Sequence, residues 1–179
     1  GAVSVETDRP APDSAPTPRL QTEHDLLAFS ERGIRSAAIR FAPTVHGDGD
    51  HGFMAELVRL DRENRTSGYV GDTRWPAVHR LDAAKLVRLA LENSPAGSVW
   101  HAVGEEAIPL RRVAEAIGRG LDLPLEDVAP DNAVDRLGWL GRFLAIDSTA
   151  TSEITRRELG WEPGHNTLIE DFEAGYYYR

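Results

Sequence analysis

The residues best placed to do chemistry form the run Pro43-Thr44-Val45-His46-Gly47, which closes a mostly apolar segment, Ile34 to Phe41. In an open α/β sheet, ligands bind just beyond the carboxyl ends of parallel strands, so a polar turn there is a candidate ligand site. Pro43 fixes one φ, and the turn presents N–H groups for a ligand or for water. The other reading is an ordinary surface turn. His46-Gly47-Asp48-Gly49-Asp50-His51 joins two imidazoles to two carboxylates, natural ligands of a divalent ion. Its spacing matches no zinc helix motif, and a calcium loop begun at Asp48 has no glutamate at its twelfth position. Glycine and aspartate are also what turns prefer, so the segment is expected to be a polar loop over a pocket, with no metal.

The same stretch, Gly47 to Gly52, spells Gly-x-Gly-x-x-Gly, a pattern that seats a pyrophosphate between a strand and a helix. The strand is expected to end near Phe41, several residues too early for that role. Asp48 and Asp50 would also set negative charge against the phosphates. Gly118-Arg119-Gly120 falls at a helix end, the wrong context for such a loop.

These groups need elements to hold them. Thr17-Pro18 reads as a helix start, with Thr17 as N-cap and Pro18 in the first turn. Leu20, Leu26, Leu27 and Phe29 give that helix a partly apolar face, and Gly33 is its stop. Ile34–Phe41 then reads as a buried parallel strand. An amphipathic helix is predicted over Phe53–Asn64, short strands over Ser67–Val70 and Ala77–Arg80, and a helix from an Asp82 cap to Glu92. Ser98–Val103 is a second core strand. A helix over Leu110–Arg119 opens at Pro109 and stops at Gly120. A short strand near Val128 and helices around Asn132–Leu140, Thr151–Leu159 and Leu168–Tyr176 complete the pattern. Helix and strand alternate, which implies an α/β architecture. Residues 1–18, with prolines at 10, 12, 16 and 18, are expected to form a loop or tail.

Composition removes several classes of function. Acidic residues outnumber basic ones 29 to 20, and the formal charge of -9 argues against a nucleic-acid partner. There are no cysteines, so disulfides and thiolate metal sites are excluded. No apolar run approaches a membrane span and no signal peptide is visible, which makes the cytoplasm the default expectation.

Three segments in order carry a resemblance: Ile34–Gly47, Trp75–Ala84 and Glu158-Leu159-Gly160-Trp161-Glu162-Pro163. They resemble the C-terminal half of extended short-chain dehydrogenases, the NAD(P)-dependent epimerase/dehydratase group. That group shows an Arg-Pro-x-x-Val-Tyr-Gly-like turn, a Val-His-Val-x-Asp-like junction and a Leu-Gly-Trp-x-Pro tail. The likeness runs from about Arg19 to Tyr177.

It implies the latter half of a Rossmann-type doubly wound sheet plus a small C-terminal substrate-binding lobe over residues 19–179, after the tail at 1–18. It implies NAD or NADP as cofactor of the intact protein, with Pro43, Thr44 and Val45 where the family's backbone approaches the nicotinamide carboxamide. The family's Tyr-x-x-x-Lys pair would fall on Ala15 and Arg19, with Glu23 as the acid that follows. Arg19 then stands where the lysine holds the ribose, and the catalytic group is unknown. His46, Arg74 and His79 are the substrate-side candidates, with Arg74 near an arginine that touches phosphates in nucleotide-sugar members.

The reading that follows is the substrate-side half of an NAD(P)-dependent oxidoreductase or epimerase acting on a small carbonyl or sugar-like substrate. The alternative is a non-catalytic ligand-binding or assembly module. Either needs a partner for the strand at 34–41, whose apolar edge would otherwise be open: the missing N-terminal half, another subunit, or a second copy in a homodimer.

Overall fold

A computed structural model of the chain describes residues 2–9 and 17–179. Helix α1 (Pro18–Ala28) starts with Thr17 Oγ1 accepting from Leu20 N, and a 3-10 turn, Phe29–Arg32, carries it to Gly33. Gly33 has φ 76°, the left-handed conformation that favours glycine, and it turns the chain into strand β1 (Ala37–Phe41). Strand β2 (Thr44–His46) follows, then α2 (Phe53–Asn64), β3 (Ser67–Tyr69), β4 (Arg74–His79), α3 (Arg80–Asn93) and β5 (Ser98–Ala102). Beyond these lie β6 (Glu105–Pro109), α4 (Leu110–Leu121), β7 (Leu125–Asp127), α5 (Ala133–Leu137), α6 (Gly141–Leu144), α7 (Glu153–Leu159) and α8 (Leu168–Glu173). A 3-10 turn, Tyr176–Tyr178, ends the described chain.

Three small sheets organise these elements. Strands β1 and β5 pair in parallel, with Arg40 opposite His101. The order β2-β4-β6 makes a mixed sheet, and β3 pairs in parallel with β7. Strand β4 divides two apolar cores. Trp75 and Ala77 face one, formed with Met54, Leu57, Ile117 and Phe172. Val78 faces the other, with Leu86, Trp100, Leu159 and Trp161. Neighbouring residues part in this way because successive strand side chains point to opposite faces. Helix α4 shows the same logic with period 3.6: Leu110, Val113, Ala114 and Ile117 all lie buried on one face.

The structure departs from the sequence expectations at several points. Pro43 to Gly47 is not a turn: after a two-residue break, Thr44–His46 forms β2 and pairs with Ala77–His79. Strand β6 had no counterpart in the prediction, because Glu105-Glu106 and Pro109 read as loop. Helix α3 begins two residues before Asp82, and the cap is the His79 ring, whose Nδ1 accepts from Leu81 N. Gly120 lies inside α4, where a Cβ would overlap the Tyr178 ring; the helix stops instead at Asp122, φ 55°. The helix expected over 132–140 is broken at Gly138, φ 58°.

Residues 2–9 lie against the body of the fold. Ser4 bridges Ala150, and the buried Glu6 carboxylate accepts from Thr155 N and Oγ1. Ala15 lies outside the described residues. No helix among the described residues is long and apolar enough to cross a membrane.

Candidate functional site

At the carboxyl ends of β1 and β5 lies a cavity of about 460 Å³. Leu20, Phe41, Pro43, Pro76 and Val103 supply apolar walls, and Asp8, Arg9, Arg40, His101, Ser148 and Thr149 are among the polar ones. This is where a parallel sheet exposes its ligand-binding end. Arg40 is already committed: Nε and Nη2 donate to Glu23 at 3.0 and 2.6 Å, and Nη1 donates to Asp8 O. That guanidinium holds the Glu23 carboxyl below its usual range. His101, which the sequence reading did not single out, is buried beside it. The available signal was a polar ring at the carboxyl end of an otherwise apolar strand.

Of the predicted cofactor contacts, Pro43 lines this cavity. Thr44 is buried next to it and Val45 is half-buried in the ladder opposite Val78. Thr44 Oγ1 is enclosed without a hydrogen-bond partner among the described residues. Arg19 is exposed on α1, one residue before Leu20 at the cavity wall.

The substrate-side candidates fall into two places. His46 and His79 meet edge to face, 5.4 Å between centroids, in a junction between β2, β4 and α8. His46 is 1% exposed, and its Nδ1 lies 2.6 Å from Oδ2 of the fully buried Asp171. Tyr176 Oη donates to the other oxygen of Asp171, and Glu105 Oε1 stands 3.8 Å from His46 Nε2. Burial pushes the Glu105 carboxyl up and the His79 imidazole down, each toward its neutral form.

His79, Asp82 and His165 bring three ligand atoms within 4.8 Å of one another. Asp82 and the Nδ1 atom of each ring are already bonded, however. Asp82 accepts from Gly164 N, His165 N and His165 Nδ1, while His79 Nδ1 caps α3. The two rings stack at 4.9 Å and 9°, turning faces rather than lone pairs together. Burial opposes the charge on Asp82, but the donors from His165 and Gly164 outweigh it and the carboxyl is lowered.

Arg74 lies apart from that junction, in a two-pronged pair with Asp147: Nε to Oδ1 at 3.0 Å and Nη2 to Oδ2 at 2.7 Å. The Arg74 guanidinium pulls the Asp147 carboxyl down to about 2. An aromatic group, Phe53, Trp139 and Phe143, packs nearby through Trp75, whose Nε1 donates to Ile146 O.

The glycine loop also differs in context from the prediction. Strand β2 directly precedes Gly47 and α2 directly follows Gly52, so strand, loop and helix are contiguous. Yet the loop is closed on itself. Gly52 N donates to Asp50 Oδ1, Asp50 N to Gly47 O, and Gly47 N to the Tyr177 hydroxyl, which donates in turn to Asp50 Oδ2. The Arg80 side chain lies against Gly47 and Gly49. The Gly47, Asp50 and Gly52 amides are therefore already bonded.

A parallel β1-β5 pair with a cavity at its carboxyl end and a helical lobe beyond defines the latter half of a Rossmann-type epimerase or dehydratase fold. The solved structures bear this out. dTDP-glucose 4,6-dehydratase DesIV from Streptomyces venezuelae, bound to NAD and TYD, superposes with a TM-score of 0.71 at 18% identity, over 99% of this chain and 55% of that one. MoeE5 in complex with UDP-glucuronic acid and NAD gives 0.70 at 23%, over 98% and 58%. The UDP-glucose 4-epimerase of Thermus thermophilus, in complex with NAD, gives 0.65 at 18%, over 98% and 60%.

In sequence, the chain is 42% identical over 165 residues to the uncharacterized protein C2A9.02 of Schizosaccharomyces pombe, covering 91% of this chain and 56% of that protein. It is 40% identical over 160 residues to the uncharacterized protein YLL056C of Saccharomyces cerevisiae, covering 88% and 54%. The chain thus spans about half the length of the curated relatives it matches. No family model matches it.

Proposed function

We propose that this chain is the substrate-side half of an NAD(P)-dependent oxidoreductase or epimerase of the extended short-chain dehydrogenase type, acting on a small carbonyl or sugar-like substrate. The observation that carries the reading is the cavity at the carboxyl ends of β1 and β5, walled by Pro43 and Leu20. Its apolar sides fit a flat nicotinamide ring, the group that supplies hydride chemistry when bound. The Gly47, Asp50 and Gly52 amides are already bonded and Asp48 and Asp50 set negative charge in the loop, so in this reading the pyrophosphate falls to the other half of the protein. In this reading Pro43, Thr44 and Val45 form the wall against the nicotinamide. Arg19 lies within one helical step of the same cavity. His46 and His79 hold the lobe that carries the substrate, and Arg74 stands at its edge.

The Arg74 charge is already neutralised by Asp147, so a sugar or carbonyl compound without a diphosphate fits better than a nucleotide sugar. The partner of β1 is the remainder of the polypeptide, another subunit or a second copy, and the compartment is the cytoplasm.

The test is titration of the full polypeptide with NADH and NADPH, followed by nicotinamide fluorescence. Saturable enhancement by one of them, with turnover of simple aldehydes or ketones, is the expected result. No binding of either would overturn the reading. A second reading, a non-catalytic binding or assembly module, is favoured by Arg19 on α1, where the family carries its lysine; binding without turnover would select it.

A further inference from the structure

We propose that His101 is the ligand-facing group of the cavity at the ends of β1 and β5, and that it takes a hydroxylated molecule with an apolar body. The geometry assigns its tautomer. His101 Nδ1 lies 2.8 Å from Thr151 O, and a carbonyl oxygen only accepts, so Nδ1 carries the hydrogen and Nε2 of the neutral ring keeps a bare lone pair. That nitrogen has no hydrogen-bond partner among the described residues. Among the described residues the enclosed polar atoms that lack partners are Glu6 Oε2, Ser36 Oγ and Thr44 Oγ1, and Nε2 is not among them. His101 is only 4% exposed and lines the cavity, so the surface Nε2 retains opens into that space.

The backbone that carries the ring is also anchored. The His101 backbone N–H donates to Thr155 Oγ1 at 2.8 Å, and that hydroxyl donates to Glu6 Oε1 at 2.8 Å. A lone pair held this way calls for a donor.

The ligand class follows from the rest of the wall. Arg40, directly opposite His101 in the ladder, is spent on Glu23 and Asp8 O, and the other charged side chains of the wall, Arg9 and Asp8, are of opposite sign, so the wall as a whole offers no surplus positive charge to an anion. Phe41, Pro76 and Val103 present hydrocarbon beside the Leu20 and Pro43 wall. An alcohol satisfies both demands: its O–H donates to Nε2 and its carbon body covers the apolar wall. This binding claim stands whether or not the oxidoreductase reading holds.

The experiment uses the full polypeptide, 15N-labelled, and reads the His101 ring nitrogens by long-range 1H–15N NMR. The probes are cyclohexanol and methoxycyclohexane, which share a carbon body but differ in the donor. The expected result is an unprotonated Nε2 at neutral pH whose resonance moves with cyclohexanol and not with the ether. His101→Phe is expected to weaken cyclohexanol binding up to about tenfold while leaving the ether unchanged, and His101→Gln to restore part of the difference. A protonated Nε2 in the free protein, an equal response to both probes, or no response to either would overturn the proposal. A purely structural His101 would hold the backbone at Thr151 but show no preference for the donor.

Discussion

At the scale of single residues, two buried carboxylates carry distinct consequences. Asp171 is fully buried between His46 Nδ1 and the Tyr176 hydroxyl. Asp171→Ala leaves both donors unpartnered, and the expected loss is about 2–5 kcal/mol, read from the midpoint of urea unfolding. Asp61 behaves differently. It is fully buried against Gly68 N and Ser67 Oγ, and burial pushes its carboxyl up to about 6, those donors only partly opposing. The folded form therefore keeps a proton that the unfolded chain has lost between about pH 4 and pH 6. Stability from this group falls as pH rises through that window, by about 3 kcal/mol in all. Asp61→Asn is expected to remove that fall, so unfolding at pH 4 and pH 7 separates the two proteins. Neither role was visible in the sequence. Asp61 reads as one polar residue on an amphipathic helix, and Asp171 as one acid in a charged turn of helix.

At the scale of elements, helix α2 has the bounds that its period predicts, because an amphipathic face twelve residues long leaves little choice. Strands β2 and β6 escaped because Pro43 and Gly47 made the first read as a turn, and Glu105, Glu106 and Pro109 made the second read as loop. Their place depends on β4 lying between them, which no local pattern shows. Gly120 is the instructive case. Read locally it ends a helix; in the fold it gives the Tyr178 ring a seat on α4, with Tyr178 Oη donating to Ala116 O. Burial pushes the Tyr178 phenol up to about 12. In Gly120→Ala the ring must swing out, since it is the far end of a side chain near the terminus. Its phenol is then expected to titrate nearer the ordinary value of about 10, followed by ultraviolet absorbance. In the core, Ile117→Ala on the same helix is expected to cost about 2–5 kcal/mol, measured by denaturant unfolding.

At the scale of the whole molecule, the β1-β5 pair has no further strand beside it among the described residues. Next to it, Leu26, Phe29, Ile34 and Leu91 line an apolar groove of about 580 Å³, with Ile34 half exposed and Leu91 73% exposed. An open parallel edge beside such a groove favours association. The 179-residue chain by itself is expected to run larger than its 19.7 kDa mass in size-exclusion chromatography. A monodisperse monomer that melts cooperatively would count against an unfilled edge. The sequence alone determined the α/β class, most helices, the strand leading to Pro43 and the likeness to the epimerase/dehydratase group. Those features rest on local periodicity and short motifs. Only the tertiary structure decided that His46 is enclosed by Asp171, that Asp147 neutralises Arg74, that the glycine loop spends its own amides, and that His101 opens into the cavity. Each depends at least in part on groups tens of residues apart, the glycine loop through Tyr177, and burial and hydrogen-bond partners at that distance are properties of the packed chain.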